Sequence, residues 1–304
     1  MTYLLAVLAA CANATSSVLQ RKADRQVPTG QNLSLALIRS LLHEPVWFGG
    51  VLAVIVGFLL QAAALGHGAL AVVEPILVVE LPITLLIATR VFHARLCARE
   101  WGASAAMAAG LAGLLYGLSP RDGVAHGVRW YSWVIGITIN LGVIAALVAW
   151  GRRGPAGRGP QSCQSSSLQA AILSVATGAG FGMTAALIKA VTEAFSRGGL
   201  IALVAGWELY AMIATGIGAM FILQSALNAG PLVAAQPGLT LTDPIVSILW
   251  GVLVFHEKVR SGWFLSLTIV GGLVMVGAVL VLARSPLLST ASEQAAESEQ
   301  ATAP

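Results

Sequence analysis

Apolar residues fill the chain in runs of about 20, set apart by short polar or basic stretches. A run of that length crosses a ~30 Å hydrocarbon layer as one helix. Residues 3–20, 46–66, 69–90, 101–119, 130–150, 168–190, 201–227, 230–255 and 263–283 therefore read as nine spans. The stretch 21–45 begins with Arg21, Lys22 and Arg25. Its apolar piece, 33–42, is too short to span and is interrupted by Arg39, so it reads as a surface or half-inserted helix. If it inserts fully, the count becomes ten. Residues 3–20 have no basic lead and no clear cleavage site, and read as a retained helix rather than a signal peptide. Trp130, Tyr131 and Trp133 open the fifth span as interfacial aromatics.

The pattern also repeats. Residues 58–101 return at 221–263 with an offset of 162 or 163 residues. Phe58 and Gln61 match Phe221 and Gln224, Pro75 and Pro82 match Pro237 and Pro244, and Val91-Phe92-His93 matches Val254-Phe255-His256. Register held through prolines, glutamines and histidines marks an internal duplication. The chain divides into a first repeat (1–120), a connecting helix and flexible basic linker (121–167), a second repeat (168–284) and a small, polar, acidic tail (285–304) that reads as disordered.

Composition agrees with this class. The chain of 304 residues is 57% hydrophobic and 10% charged, against roughly 25% charged in soluble domains. The net charge of +4 is spread between apolar segments and forms no nucleic-acid-binding patch. Cys11, Cys97 and Cys163 show neither metal spacing nor a disulfide framework. No phosphate loop, nucleophile motif or HExxH is present, so neither enzyme chemistry nor a cofactor is expected. Lys and Arg in the loops fall eleven to six between the two sides. The richer side is then cytoplasmic, and the C-terminus lies with it. Five spans separate equivalent helices, so the two repeats have opposite orientation, the architecture of many secondary transporters. The expected fold is an all-α polytopic protein of the cell membrane, complete as a monomer because both halves lie in one chain.

Candidate chemistry follows from the cost of charge in the bilayer, about 2.5–3.5 kcal/mol per ionised group on insertion scales. Glu74, Glu80, Glu208 and Asp243 lie in or near spans. Each acid can bind a cation, a proton or a cationic solute, or can be a protonated or paired structural group. Prolines 75 and 82 take donors away from the carbonyls of residues 71 and 78. Free carbonyls beside carboxylates would suit a hard cation, with Glu74 and Asp243 as ligands if that cation is Mg²⁺. Glu74 and Glu80 share a face only if the prolines unwind the segment, whereas Gln236 and Asp243 are seven apart and nearly aligned. Gln236 occupies the place of Glu74 in the second copy. Gln61 and Gln224 recur at matching positions, either as hydrogen-bonding partners at the pseudo-two-fold axis or as a requirement of the fold. Asn13, Ser16, Ser17 and Gln20 share one face of the first helix, which favours protein or water over lipid. His67, His93 and His256 sit at helix ends without a second ligand at metal spacing.

Two inverted halves, proline-bearing helices, Lys22 and Lys189 near the end of each half's first helix, and the pair Glu257-Lys258 resemble the drug/metabolite transporter superfamily and its EamA-like fold. The stretch GAGFGMTAALIKA, ending in Lys189-Ala190, is similar to that of NIPA-like magnesium transporters within it. The first copy departs from this pattern, with Ala94-Arg95 where the second has Glu257-Lys258. The resemblance implies transport of a small polar or cationic solute, or of Mg²⁺, by alternating access. A fold kept without activity, as a membrane structural or assembly protein, is the alternative.

The charge count yields a direct test. In a background without the native cysteines, single cysteines at Ala94 and Ser261 should label from opposite sides with an impermeant thiol reagent. Equal labelling of both from outside would contradict the inverted repeat.

Overall fold

The computed structural model describes residues 1–24, 45–92, 98–120, 125, 127–152, 160–229, 232–260 and 262–283. The expectations for segment 33–42, Arg39, His93, Ala94, Arg95, Cys97, Ser261, linker residues 153–159 and tail residues 285–304 lie outside them, while residues 160–167, expected within the flexible linker, are helical because the central helix already begins at Pro160. Among the described residues there is no β-strand, and the chain forms ten helices. They are α1 (Thr2–Asp24), α2 (Pro45–His67), α3 (Leu70–Leu77), α4 (Glu80–Phe92), α5 (Ala98–Leu118), α6 (Trp130–Arg152), α7 (Pro160–Ala205), α8 (Trp207–Ala229), α9 (Leu232–Leu253) and α10 (Trp263–Ala283). Eight stretches of 18 or more residues are long and apolar enough to cross a membrane, with a shorter apolar stretch, Pro237–Leu253, in α9. Leu52, Leu59, Ile139, Ile213 and Leu273 point outward. Such an apolar exterior is stable in lipid and not in water. The molecule is an all-helical, polytopic membrane protein.

Helix α7 forms the centre. Its membrane stretch is 72% buried, against 11% for α6 and for α8, which lie outside it. It packs on α9, α8, α6 and α2. The sequence placed a span at 201–227, but α7 runs on through Ala205 with a bend at Gly199, where φ is 61°. That backbone region favours glycine. The next span begins at Trp207, after Gly206.

Two helix trios pack alike. Helix α1 lies on α2 and on α3–α4, and α7 lies on α8 and α9. Helices α1 and α2 are antiparallel: Thr2 Oγ1 donates to the His67 carbonyl at 3.0 Å, and Gly49 faces Leu19. Asp24 and Pro45 therefore stand at the same end of the bundle. Two contacts join equivalent helices, α3 with α9 and α5 with α10.

The copies differ at their prolines. In the first, the helix breaks at Val78–Val79, and Val79 and Leu81 donate to the carbonyls of Ile76 and Val78 at 3.0 and 3.2 Å. The Val78 carbonyl, expected to lack a partner, thus accepts from Leu81. Pro82 falls in the first turn of α4, where a missing N–H costs nothing. In the second copy α9 stays continuous through Pro237 and Pro244, so the expected break occurs in the first copy alone. Trp133, expected at an interface, is buried. It stacks with Trp207, Trp250 and Phe255 at centroid distances of 5.3, 5.6 and 5.6 Å.

The α5–α10 contact depends on absent side chains. A Cβ at Gly110 would stand 2.8 Å from the Gly271 carbonyl oxygen, and one at Gly117 2.8 Å from that of Phe264. Close backbone approach gives dispersion contact that the hydrophobic effect cannot supply inside lipid. Gly271→Leu should destabilise the protein by about 1–3 kcal/mol through overpacking. Gly277→Leu, on an open face of the same helix, should not. Thermal unfolding of both variants in nanodiscs checks the difference.

Candidate functional site

Three polar groupings lie within the bundle. The first is a pair of carboxylates from the two equivalent helices. Glu74 is 3% exposed on α3, one turn below the helix start. Gln61 of α2 donates to its Oε1 at 3.1 Å. Asp243 of α9 lies close enough for the two charges to act on each other, and Ser247 Oγ sits 3.5 Å from Asp243 Oδ1. Among the described residues no Lys or Arg pairs with either acid; the ion pair there belongs to Lys189 and Glu257. Two carboxylates without a countercharge in a low-dielectric interior call for positive charge from outside the chain, a proton or a cation. Their oxygens and the Gln61 amide are hard ligands of the kind Mg²⁺ or Na⁺ takes. Among the described residues no three His, Cys, Asp or Glu side chains gather to hold a metal ion.

The second grouping holds the other acid of the first copy. Glu80 opens α4 and turns to α1, where Ser17 Oγ donates to its Oε1 at 3.3 Å. Of the polar stripe of α1, Ser16 is buried and Asn13 half-buried, while Ser17 is exposed. The chain break between Glu74 and Glu80 does not unite them, since each meets different helices.

The third grouping closes one end of the bundle. Lys189 and Glu257 are both buried, with Nζ 3.1 Å from Oε1. Lys189 also donates to the Gly68 carbonyl at 2.9 Å and lies 5.6 Å from the centre of the Phe255 ring. Glu257 accepts from the backbone N–H groups of Leu70 (2.6 Å) and Ala71 (3.1 Å), the first residues of α3. Ala69, at the N-cap position, gives that helix no side-chain cap. A distant carboxylate supplies what the local sequence lacks, at the helix end where negative charge is favoured. Two backbone features aim it. His256 has φ 54°, which turns the chain inward after α9. A Cβ at Gly251 would run into the Glu257 carboxylate.

The remaining sequence candidates lie apart. Glu208 is half-buried in the first turn of α8 and lines a cavity of about 420 Å³ with Arg197 and Trp207. Gln224 is exposed on α8 and does not mirror Gln61. Gln236 lies on α9, and its side chain is outside the described residues. Lys189 belongs to the end closure and not to the carboxylate pair. The hydroxyls of Ser174 and Thr177 bond back to the carbonyls of Ala171 and Leu173, the ordinary habit of such residues in helices. Sequence reasoning tied Glu257 to its neighbour Lys258; the structure ties it to Lys189, 68 residues away. The available clue was Lys189 itself, a lysine within an apolar helix that needs a buried partner.

Site and fold together define a helical membrane protein with an acidic pair in its interior and an ion-paired closure at one end. No family model matches the chain, and no solved structure matches it. An uncharacterized protein of Corynebacterium glutamicum is 29% identical over 303 residues, spanning 96% of this chain and 99% of its own length.

Removing one partner of a buried pair strands the other, at about 3–5 kcal/mol. Glu257→Gln should therefore lower stability on that scale, and Lys189→Met likewise. The double variant should lose less than the sum, with a coupling of about 0.5–3 kcal/mol. Denaturant unfolding in mixed micelles measures all three; strict additivity would show that the pair is not coupled.

Proposed function

We propose that the protein is a secondary transporter that moves a small cationic or polar solute, Mg²⁺ included, by alternating access between its two halves. The observation that carries the reading is the meeting of Glu74 and Asp243, unpaired acids on equivalent helices of the two copies, at the α3–α9 contact. An acidic pair where one helix of each half meets the other, beside a broken helix, is the arrangement expected of a central cation site. The matching helix trios support two inverted repeats, 1–120 and 168–284, within nine spans. The excess of loop Lys and Arg supports a plasma-membrane orientation with the C-terminus and the 91–100 and 151–167 loops in the cytoplasm. The resemblance to drug/metabolite transporters points the same way. With no nucleotide-binding motif in the sequence, the driving force is an ion gradient or the solute's own gradient.

Coupling follows from electrostatics. An empty acidic pair resists closure from both sides because neither charge has a partner, whereas the occupied pair is neutralised and can be enclosed. Rocking of one trio against the other then exposes the site on the far face. The break at Val78–Val79 gives the Glu74 helix a joint independent of α4.

Glu74→Gln tests this reading. The amide keeps a carbonyl to accept from Gln61 and loses the charge. In proteoliposomes screened over Mg²⁺, polyamines, amino acids and lipophilic cations, with and without a proton gradient, the variant should fold normally and fall to background uptake. Asp243→Asn should do the same. Uptake near the parent's in a well-folded Glu74→Gln protein would overturn the assignment. Absence of any uptake by the parent protein would favour the structural or assembly reading.

A further inference from the structure

A cleft of about 440 Å³ lies between α6, α7 and α9. That volume is within the range of small-molecule sites. Its outer wall is formed by Ile135, Ile139 and Leu249, side chains that otherwise point into lipid, so the cleft opens sideways to the bilayer. Its inner wall includes Ala179 and the buried Trp250. Gly136 lets that ring lie against α6; a Cβ there would stand 2.9 Å from it.

One residue of the lining is out of character. Asn140 is 8% exposed, and its Oδ1 has no hydrogen-bond partner among the described residues. A buried unpartnered carbonyl in apolar surroundings is costly and needs a reason. Rotation about the last side-chain torsion, which is broad, exchanges the amide oxygen and nitrogen. The side chain can then offer the cleft an acceptor or a donor. Asn140 is the eleventh of 23 residues in α6, so this group stands near mid-membrane. A charged or zwitterionic head group cannot be carried to that depth cheaply.

We infer that the cleft binds a membrane-dissolved apolar molecule carrying one neutral hydrogen-bonding group, of the long-chain alcohol class, with its polar group on Asn140. The body enters from the bilayer and lies against α6 and α9, and the amide selects for the single hydroxyl. The site is independent of the acidic pair and of transport.

The test uses the full chain in nanodiscs with a diazirine-bearing analogue of hexadecanol, followed by mass-spectrometric mapping. Labelling should fall on α6 and α9 around the cleft, saturate, and be competed by unlabelled hexadecanol. Asn140→Leu, with Asn140→Ala as a second variant should the first not fold, should weaken it by about fivefold, the scale of one lost hydrogen bond. A phosphatidylcholine with the same diazirine on its acyl chain should label these positions without saturation and without regard to Asn140. Equal labelling of parent and variants by the alcohol, or equal saturable labelling by the phospholipid, would overturn the site and leave only ordinary lipid contact.

Discussion

The buried pair of Lys189 and Glu257 holds the outer frame of the molecule in register. Glu257 hangs from the end of α9, Lys189 stands on the central helix α7, and both reach the start of α3. Three chain segments distant in sequence therefore meet at one charge. The arrangement is stable because every charge there is answered. The lysine has the carboxylate, the Gly68 carbonyl and an aromatic face, and the carboxylate has the lysine and two backbone N–H groups. A buried pair so provided for escapes the desolvation deficit that makes bare buried pairs poor stabilisers. It also fixes the depth of Glu74, four residues into the helix that Glu257 caps.

Below that closure the protein is held by shape. Glycines at the α5–α10 contact admit backbone against backbone, and the Trp133 cluster fills the space beneath Phe255. Lipid takes up the apolar exterior, so the interior can spend its few polar groups where chemistry needs them. The acidic pair is the extreme case, two acids kept near each other with one glutamine and one serine for company.

Much of the architecture was legible in the sequence because span length and loop charge act locally along the chain. Eight of the nine apolar stretches and the proline-bearing segment around Pro75 can be read from runs of residues. The pairing of Glu74 with Asp243 was legible only as a shared suspicion, since charge in an apolar helix is visible but its neighbour is not. The division of labour between Glu74 and Glu80 was hidden, because it depends on which helix each faces after the break. Gln224 misled for the opposite reason. Duplication preserved its place in the sequence while α8 presents that place to the exterior. Glu257 was visible next to Lys258, but nothing in local spacing shows that a left-handed His256 turns it toward a lysine on another helix.

The closure has no twin. At the position matching Glu257 the first copy has Ala94, at that matching Gly251 it has Ala88, and Lys22 is exposed. The second helix trio therefore carries a lock for which the first has no matching acid in its sequence. In a carrier, unequal locks mean unequal barriers for the two half-cycles, so net flux would be limited by whichever isomerisation must break the ion pair. Such a device cannot alter where the solute finally equilibrates, since a catalyst leaves the equilibrium untouched. It can make the proposed carrier a kinetic rectifier, quick to reset in one direction and slow in the other.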